Sequence, residues 1–187
     1  MNLDILKQAT KNELPTSRWE HTLRVLDTAI DLIQDRQIDL LSIQVAAVLH
    51  DFCKFWPDEE LKKWISKYEL PRELLHYHKE IWHAPVGAEV ARIKWGITDE
   101  AILNAIRYHT TGRPEMTEIE KIIFVADYIE PGRKFPDVEE VRKTAETHLD
   151  GAVAQSLRNT ISFLESRNQM VYPLTLQAYG YYKHCLG

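Results

Sequence analysis

The stretch Ser42-Ile43-Gln44-Val45-Ala46-Ala47-Val48-Leu49-His50-Asp51 constrains the fold more than any other part of the chain. Apolar residues at nearly every position describe a helix buried on most sides, not the single stripe of a surface helix. Directly after that run come an imidazole and a carboxylate. Two polar groups of metal-ligand type at the end of a buried helix sit where an unpaired charge is expensive. A cation is their simplest partner.

Almost every other segment has helical spacing, and none alternates convincingly with a period of two. The chain therefore reads as all-α, a helical bundle with a site at its centre. Ser17 followed by Glu20 has the form of a capping box. It would open a helix with an apolar stripe at Leu23, Leu26, Ile30 and Ile33, and with His21 in its first turns. The spacing predicts a weaker amphipathic helix over 59–67. Pro85 fits only a first helical turn, so His83 belongs at an N-terminus, and Gly96 is the expected stop. Thr98 is expected to cap the next helix, which leads through Ile102, Leu103 and Ile106 to His109 and closes at Gly112. Thr117 and Glu120 form a second capping box ahead of Ile122, Ile123 and Val125, with Asp127 near that helix's end. A loop over 131–137 leads to two tail helices. One carries Val153, Leu157, Ile161 and Leu164, and the other starts near Pro173. The first dozen residues carry no motif.

A length of 187 residues suits one domain (1–187), with a core over about 17–133 and C-terminal helices over 138–187. A net charge of −5 and the lack of a long basic run argue against a nucleic-acid partner. No apolar run approaches the ~18 residues of a membrane span, and the opening residues have no secretory pattern. Two cysteines permit at most one disulfide. The expectation is a cytoplasmic protein.

Five segments deliver His21, His50-Asp51, His83, His109 and Asp127 at unequal intervals, unlike a zinc-finger spacing. One histidine on an apolar helix is more often a core residue than a ligand. Ligands spread over several helices and projecting inward are how helical bundles build metal centres. The order His … His-Asp … His … His … Asp resembles the HD-domain metal-dependent phosphohydrolases. The finer text, Arg18-Trp19-Glu20-His21-Thr22, His50-Asp51-Phe52-Cys53-Lys54, His83-Ala84-Pro85-Val86-Gly87-Ala88, Tyr108-His109-Thr110-Thr111-Gly112 and Ala126-Asp127-Tyr128-Ile129-Glu130-Pro131-Gly132-Arg133, resembles the bacterial YqeK family. Those proteins are symmetrical diadenosine tetraphosphate (Ap4A) hydrolases. The resemblance runs over roughly residues 17–183.

The resemblance implies an HD-domain fold and a divalent metal, iron above all, on His21, His50, Asp51 and Asp127. Mixed imidazole and carboxylate donors suit iron, manganese, cobalt or zinc, and disfavour calcium. In two-metal relatives the residue matching Asp51 bridges to a second ion held by those matching His83 and His109. Whether a second ion binds here stays open. The implied reaction is attack of metal-activated water on a phosphoanhydride, releasing two ADP, with Asp51, His83, His109 and Lys54 as the catalytic set. Lys54 and Arg133 are the cationic candidates for phosphate, and Thr110 offers a hydroxyl. Substrate is expected to meet His21, Asp51, Lys54, His83, His109, Thr110, Asp127 and Arg133, with Tyr182 as a ring for the base. The implied partners are a dinucleoside polyphosphate and ADP- or GDP-type nucleotides. A homodimer is carried as an expectation, although no sequence feature sets the oligomeric state.

The remaining candidates have plainer readings. Arg18 reads as a solvated first-turn residue, and His76, His78, His148 and His184 as surface residues. Cys53 reads as a small buried hydrophobe, and the tyrosines at 179, 181 and 182 mostly as packing. Two other functions use the same residues: an HD phosphohydrolase acting on nucleoside monophosphates or cyclic dinucleotides, and a non-catalytic nucleotide-binding regulator.

Overall fold

The computed structural model describes residues 2–186, and among them every regular element is helical. In chain order these are α1 (Leu3–Glu13), α2 (Thr16–Asp31), α3 (Leu40–Leu49), α4 (Asp58–Lys67), α5 (His83–Trp95), α6 (Glu100–Tyr108), α7 (Glu118–Ile129), α8 (Val138–Ala145), α9 (Leu149–Ser166) and α10 (Pro173–Tyr182). Short 3-10 turns lie at Arg72–His76, Lys79–Ile81 and Lys183–Cys185. No described helix is long and apolar enough to cross a membrane.

The apolar run forms the bundle's axis, as its composition demands. Val45, Ala46, Ala47, Val48 and Leu49 of α3 are each 0% exposed, because α1, α2, α6 and α7 close around them. The side chain of Asp39 caps α3 by accepting from the Ser42 amide at 2.8 Å. Around this axis α5 packs on α6, α6 on α7, and α7 on α9, while α8 and α10 flank α9. A single apolar cluster reaches from Leu6 on α1 to Tyr182 on α10.

Several expected boundaries hold for the expected physical reason. The Thr117–Glu120 capping box opens α7, with both reciprocal bonds made. Gly96 ends α5 in the left-handed region at φ 64°, where a side chain is strained. Gly112 turns the chain after α6 at φ 62°, and a Cβ there would press on Leu157 at 3.3 Å. His83 is the first residue of α5, with Pro85 in its first turn.

Other boundaries differ. Ser17 does not cap α2. The helix starts at Thr16 behind Pro15, whose fixed φ of −56° sets the turn and whose carbonyl accepts from the Arg18 and Trp19 amides. Asp99, not Thr98, caps α6, its carboxylate accepting from the Ala101 amide at 2.9 Å. A charged acceptor is the better partner for the positive end of a helix. Helix α1 was not anticipated, although Asn2 caps it and Leu6 anchors it in the core. The tail holds three helices, not two. Short α8 carries four charged side chains, and only Val138, Val141 and Ala145 face inward.

Candidate metal centre

Each of the expected ligands reaches one small volume beside the end of α3. His21 comes from the second turn of α2, His50 and Asp51 from the residues after α3, and Asp127 from the last turn of α7. The Nε2 atom of His21 stands 3.0 Å from Oδ1 of Asp127 and 3.7 Å from Oδ2 of Asp51. Nε2 of His50 is 3.1 Å from the same Asp51 oxygen. On the other side of that carboxylate, Asp51 Oδ1 faces Nε2 of His83 at 3.0 Å and Nε2 of His109 at 3.6 Å. Asp51 thus stands between two groups of imidazoles, at the first residue of α5 on one wall and the end of α6 on the next.

The ring orientations follow from what lies behind each ring. Nδ1 of His50 donates to the Ala47 carbonyl at 2.7 Å, and Nδ1 of His109 to the Ile106 carbonyl at 2.8 Å. Nδ1 of His21 faces the Glu130 carboxylate at 3.0 Å. Each bond fixes the tautomer with its proton on Nδ1 and leaves the Nε2 lone pair free, the state a metal ligand requires.

The donor set can be tested for fit to a cation. Nε2 of His21, Nε2 of His50 and Oδ1 of Asp51 are buried and make no hydrogen bond. They crowd their neighbours without the angles that would make them donors and acceptors to one another. Buried polar groups are rarely left in that condition. Lone pairs converging on shared space fit a cation, and two sets of three, His21–His50–Asp127 and His50–Asp51–His109, each lie within 4.8 Å. A positive group already sits on the inner carboxylate: the Arg18 guanidinium pairs with Asp51 Oδ2. Arg18 is therefore not the solvated residue that its first-turn position suggested.

Charge is arranged to match. Burial pushes the Asp51 carboxyl up, but His50 beside it and the His109 and His83 imidazoles facing it outweigh that and hold it well below the usual carboxylate range. Burial likewise opposes ionisation of Asp127, and its contacts with His21 and Arg133 again win. Arg133 donates to Asp127 Oδ1 at 2.6 Å and to its carbonyl at 3.0 Å. His83 goes the other way: burial pulls its imidazole down to about 4, only partly offset by Asp51. Burial lowers His109 too. Both rings are neutral at pH 7.

Two groups were missed by sequence reading. Glu130 is 2% exposed, accepts from Arg24 Nε at 2.5 Å and from the Gly132 amide at 2.6 Å, and orients His21. Burial raises its pKa, but these donors bring it down to about 2. Its place three residues after Asp127, on the same side of the helix, was a usable signal. Glu80 was the other. It pairs with Lys54 at the rim of a 440 Å³ cavity that exposes His109, Thr110 and Asp127 to an incoming ligand. Thr110 Oγ1 is buried there without a partner.

Tyr182 does not join the site. It is 3% exposed, its hydroxyl accepts from the Met116 amide at 2.8 Å, and packing leaves no face for a base. Cys53 is a free, fully buried thiol whose pKa burial raises well above its ordinary value. His76, His78, His148 and His184 are all exposed, although His78 borders the cavity.

The sequence matches the HD-domain family model over residues 18–132, the span that carries every ligand named above. This chain belongs to the HD-domain family. Within that family it is 48% identical to the symmetrical bis(5′-nucleosyl)-tetraphosphatase of Bacillus subtilis, with 97% of each chain covered. It is 41% identical to the Staphylococcus aureus protein of the same name, over 98% of this chain and 96% of that one. A crystal structure from Clostridium acetobutylicum, described as a predicted HD superfamily hydrolase involved in NAD metabolism, is 36% identical. It matches this HD-domain chain at TM-score 0.92 over 98% of both. The YqeK-type resemblance read from five sequence blocks thus extends over nearly the whole chain.

Proposed function

We propose that this protein hydrolyses diadenosine tetraphosphate and related dinucleoside tetraphosphates symmetrically, releasing two ADP. Near-full-length relatives named for that reaction support the reading. The observation that carries it is the meeting of His21, His50, Asp51 and Asp127 beside an open cavity that Asp127 lines, with Nε2 of both histidines and Oδ1 of Asp51 unpaired. These four would hold the divalent ion, and iron is our choice among ions suited to mixed nitrogen and oxygen donors. When bound, such an ion lowers the pKa of coordinated water toward ~7 and neutralises phosphate charge.

The protein's own groups do the rest. Asp51 and Asp127, held ionised, would supply the anionic ligands for the cation. Lys54 at the rim can turn from Glu80 to a phosphate oxygen, and Thr110 Oγ1 has a free hydroxyl to donate to another. His83, neutral, carries its Nε2 proton toward the Nε2 lone pair of His109 at 3.2 Å, and can turn that N–H to hydrogen-bond the leaving ADP oxygen. His109, whose Nδ1–H is held by the Ile106 carbonyl, presents an Nε2 lone pair that can accept the proton given up by the attacking water. Arg133 acts from behind, orienting Asp127. Tyr77 and Tyr172 supply aromatic surface in the same cavity for one base. Both cysteines are free thiols, which suits work in a reducing cytoplasm.

The test is to incubate purified protein with Ap4A and iron or manganese and to separate the products by ion-exchange chromatography. Two ADP are expected. AMP plus ATP, or no turnover, overturns the assignment.

A further inference from the structure

A symmetrical cut requires the substrate to extend equally on both sides of the broken bond. The cavity over the metal centre offers aromatic surface for one nucleoside and leaves the other half to be placed. Beside it, between the 131–137 loop and α9, lies a second cavity of about 660 Å³ to which the reaction as derived assigns nothing. Its size is that of a site for a nucleotide-sized ligand.

The two cavities are neighbours with a common wall made of Tyr128, Thr160 and Phe163. Tyr128 directly follows Asp127, so the shared wall begins at the metal-ligand set itself. The cavities also repeat one another chemically. The first contains an edge-to-face pair, Tyr77 and Tyr172, with ring centres 5.1 Å apart. The second contains Tyr128 and Phe135 in the same arrangement at 4.8 Å. Each has one arginine with no carboxylate partner among the described residues. Arg167 in the first lies over the Phe163 ring at 4.6 Å, and Arg158 in the second makes a single long bond to Asn159. Phe163, at the junction, leaves 53% of its surface in water. An exposed ring between two aromatic pockets with unpaired guanidinium groups suits a ligand that is aromatic at both ends and anionic between them.

We propose that the cavity lined by Tyr128, Phe135, Arg158 and Phe163 seats the second purine nucleoside of the dinucleoside polyphosphate, so that the two bases lie on either side of the metal centre. This rests on the hydrolase reading and adds to it a source of selectivity. Substrates with two bases fill both pockets, and those with one leave a pocket empty.

The test compares Ap4A with adenosine 5′-tetraphosphate, which has the same phosphate chain and one base, in wild type, Phe135→Ala and Arg158→Ala. The wild type should prefer Ap4A by about tenfold or more in kcat/KM, the scale of one base stacked on an aromatic ring. Each variant should lose most of that preference, through a higher KM for Ap4A at nearly unchanged kcat. Damage to folding alone would lower both substrates together and leave the ratio unmoved. An unmoved ratio, or a wild type indifferent to the second base, overturns the second pocket while leaving the hydrolase reading intact. Wild-type protein that leaves Ap4A uncut removes both.

Discussion

The two sides of Asp51 use the same kinds of donor but are supported differently. On the Asp127 side each ligand has a partner behind it: Glu130 for His21, the Ala47 carbonyl for His50 and Arg133 for Asp127. On the other side His109 is held by the Ile106 carbonyl, whereas His83 faces Asp51 Oδ1 and His109. Outer partners of this kind fix ring orientation and raise ligand basicity. The first side is built to hold a cation. The second presents two neutral imidazoles, pushed there by burial, that can carry a proton or accept a second, more weakly held ion.

The largest effect belongs to the residue both sides share. Asp51→Ala should abolish metal retention and lower Ap4A turnover by roughly three orders of magnitude or more, beyond the loss of one electrostatic donor. Metal analysis and product chromatography read both quantities. A variant that keeps its metal and turns over substrate normally would remove Asp51 from the centre. Next comes the contrast between the sides. His21→Gln should lose the tightly held ion, whereas His83→Gln should keep it and lose kcat by about a hundredfold, the scale of one hydrogen-bond donor to developing charge. Equal metal loss in the two variants would erase the distinction drawn here.

How much of this could be read from the chain follows the same division. The run ending in His50-Asp51, the Thr117–Glu120 box and the stops at Gly96 and Gly112 are local patterns, and local patterns survive folding. The supporting groups are not local. Glu130 meets His21 and Arg24 across more than a hundred residues; its spacing of three from Asp127 places it near the site but cannot say what it pairs with. Arg18 looked solvated because a helix's first turn normally is, and its partner arrives from another helix. Tyr182 failed for the converse reason. Aromatic content in a tail cannot say whether a ring faces the cleft or the core. Helix α8 was hidden by length, since three inward residues are too few to establish a period.

Glu130→Gln sharpens the comparison at intermediate size. It keeps the shape and removes the charge that orients His21, so metal affinity should fall about 10–100-fold while kcat at saturating metal stays within a few-fold. Calorimetric metal titration distinguishes this from a ligand loss. If affinity is unchanged, the support behind His21 has no influence on the ion and the asymmetry is one of packing alone.

The smallest effect concerns Lys54, which sits on the His83 side and adds to the burial that keeps that imidazole neutral. Its pairing with Glu80 is at the surface, with Glu80 54% exposed, and such pairs contribute at most about 1 kcal/mol. Turning to a phosphate therefore costs little, and the net gain should be that of a partly screened donor. Lys54→Ala should lower kcat/KM for Ap4A by about tenfold, less than the loss of a fully desolvated donor, because solvent screens this one. Glu80→Gln frees the same ammonium and should move kcat/KM the other way, by less than about threefold. Opposite signs would mark Lys54 as a phosphate ligand held in reserve by Glu80. A fall in both variants would mean that the pair serves to shape the rim, and the proton-handling side of Asp51 would then have no cation of its own.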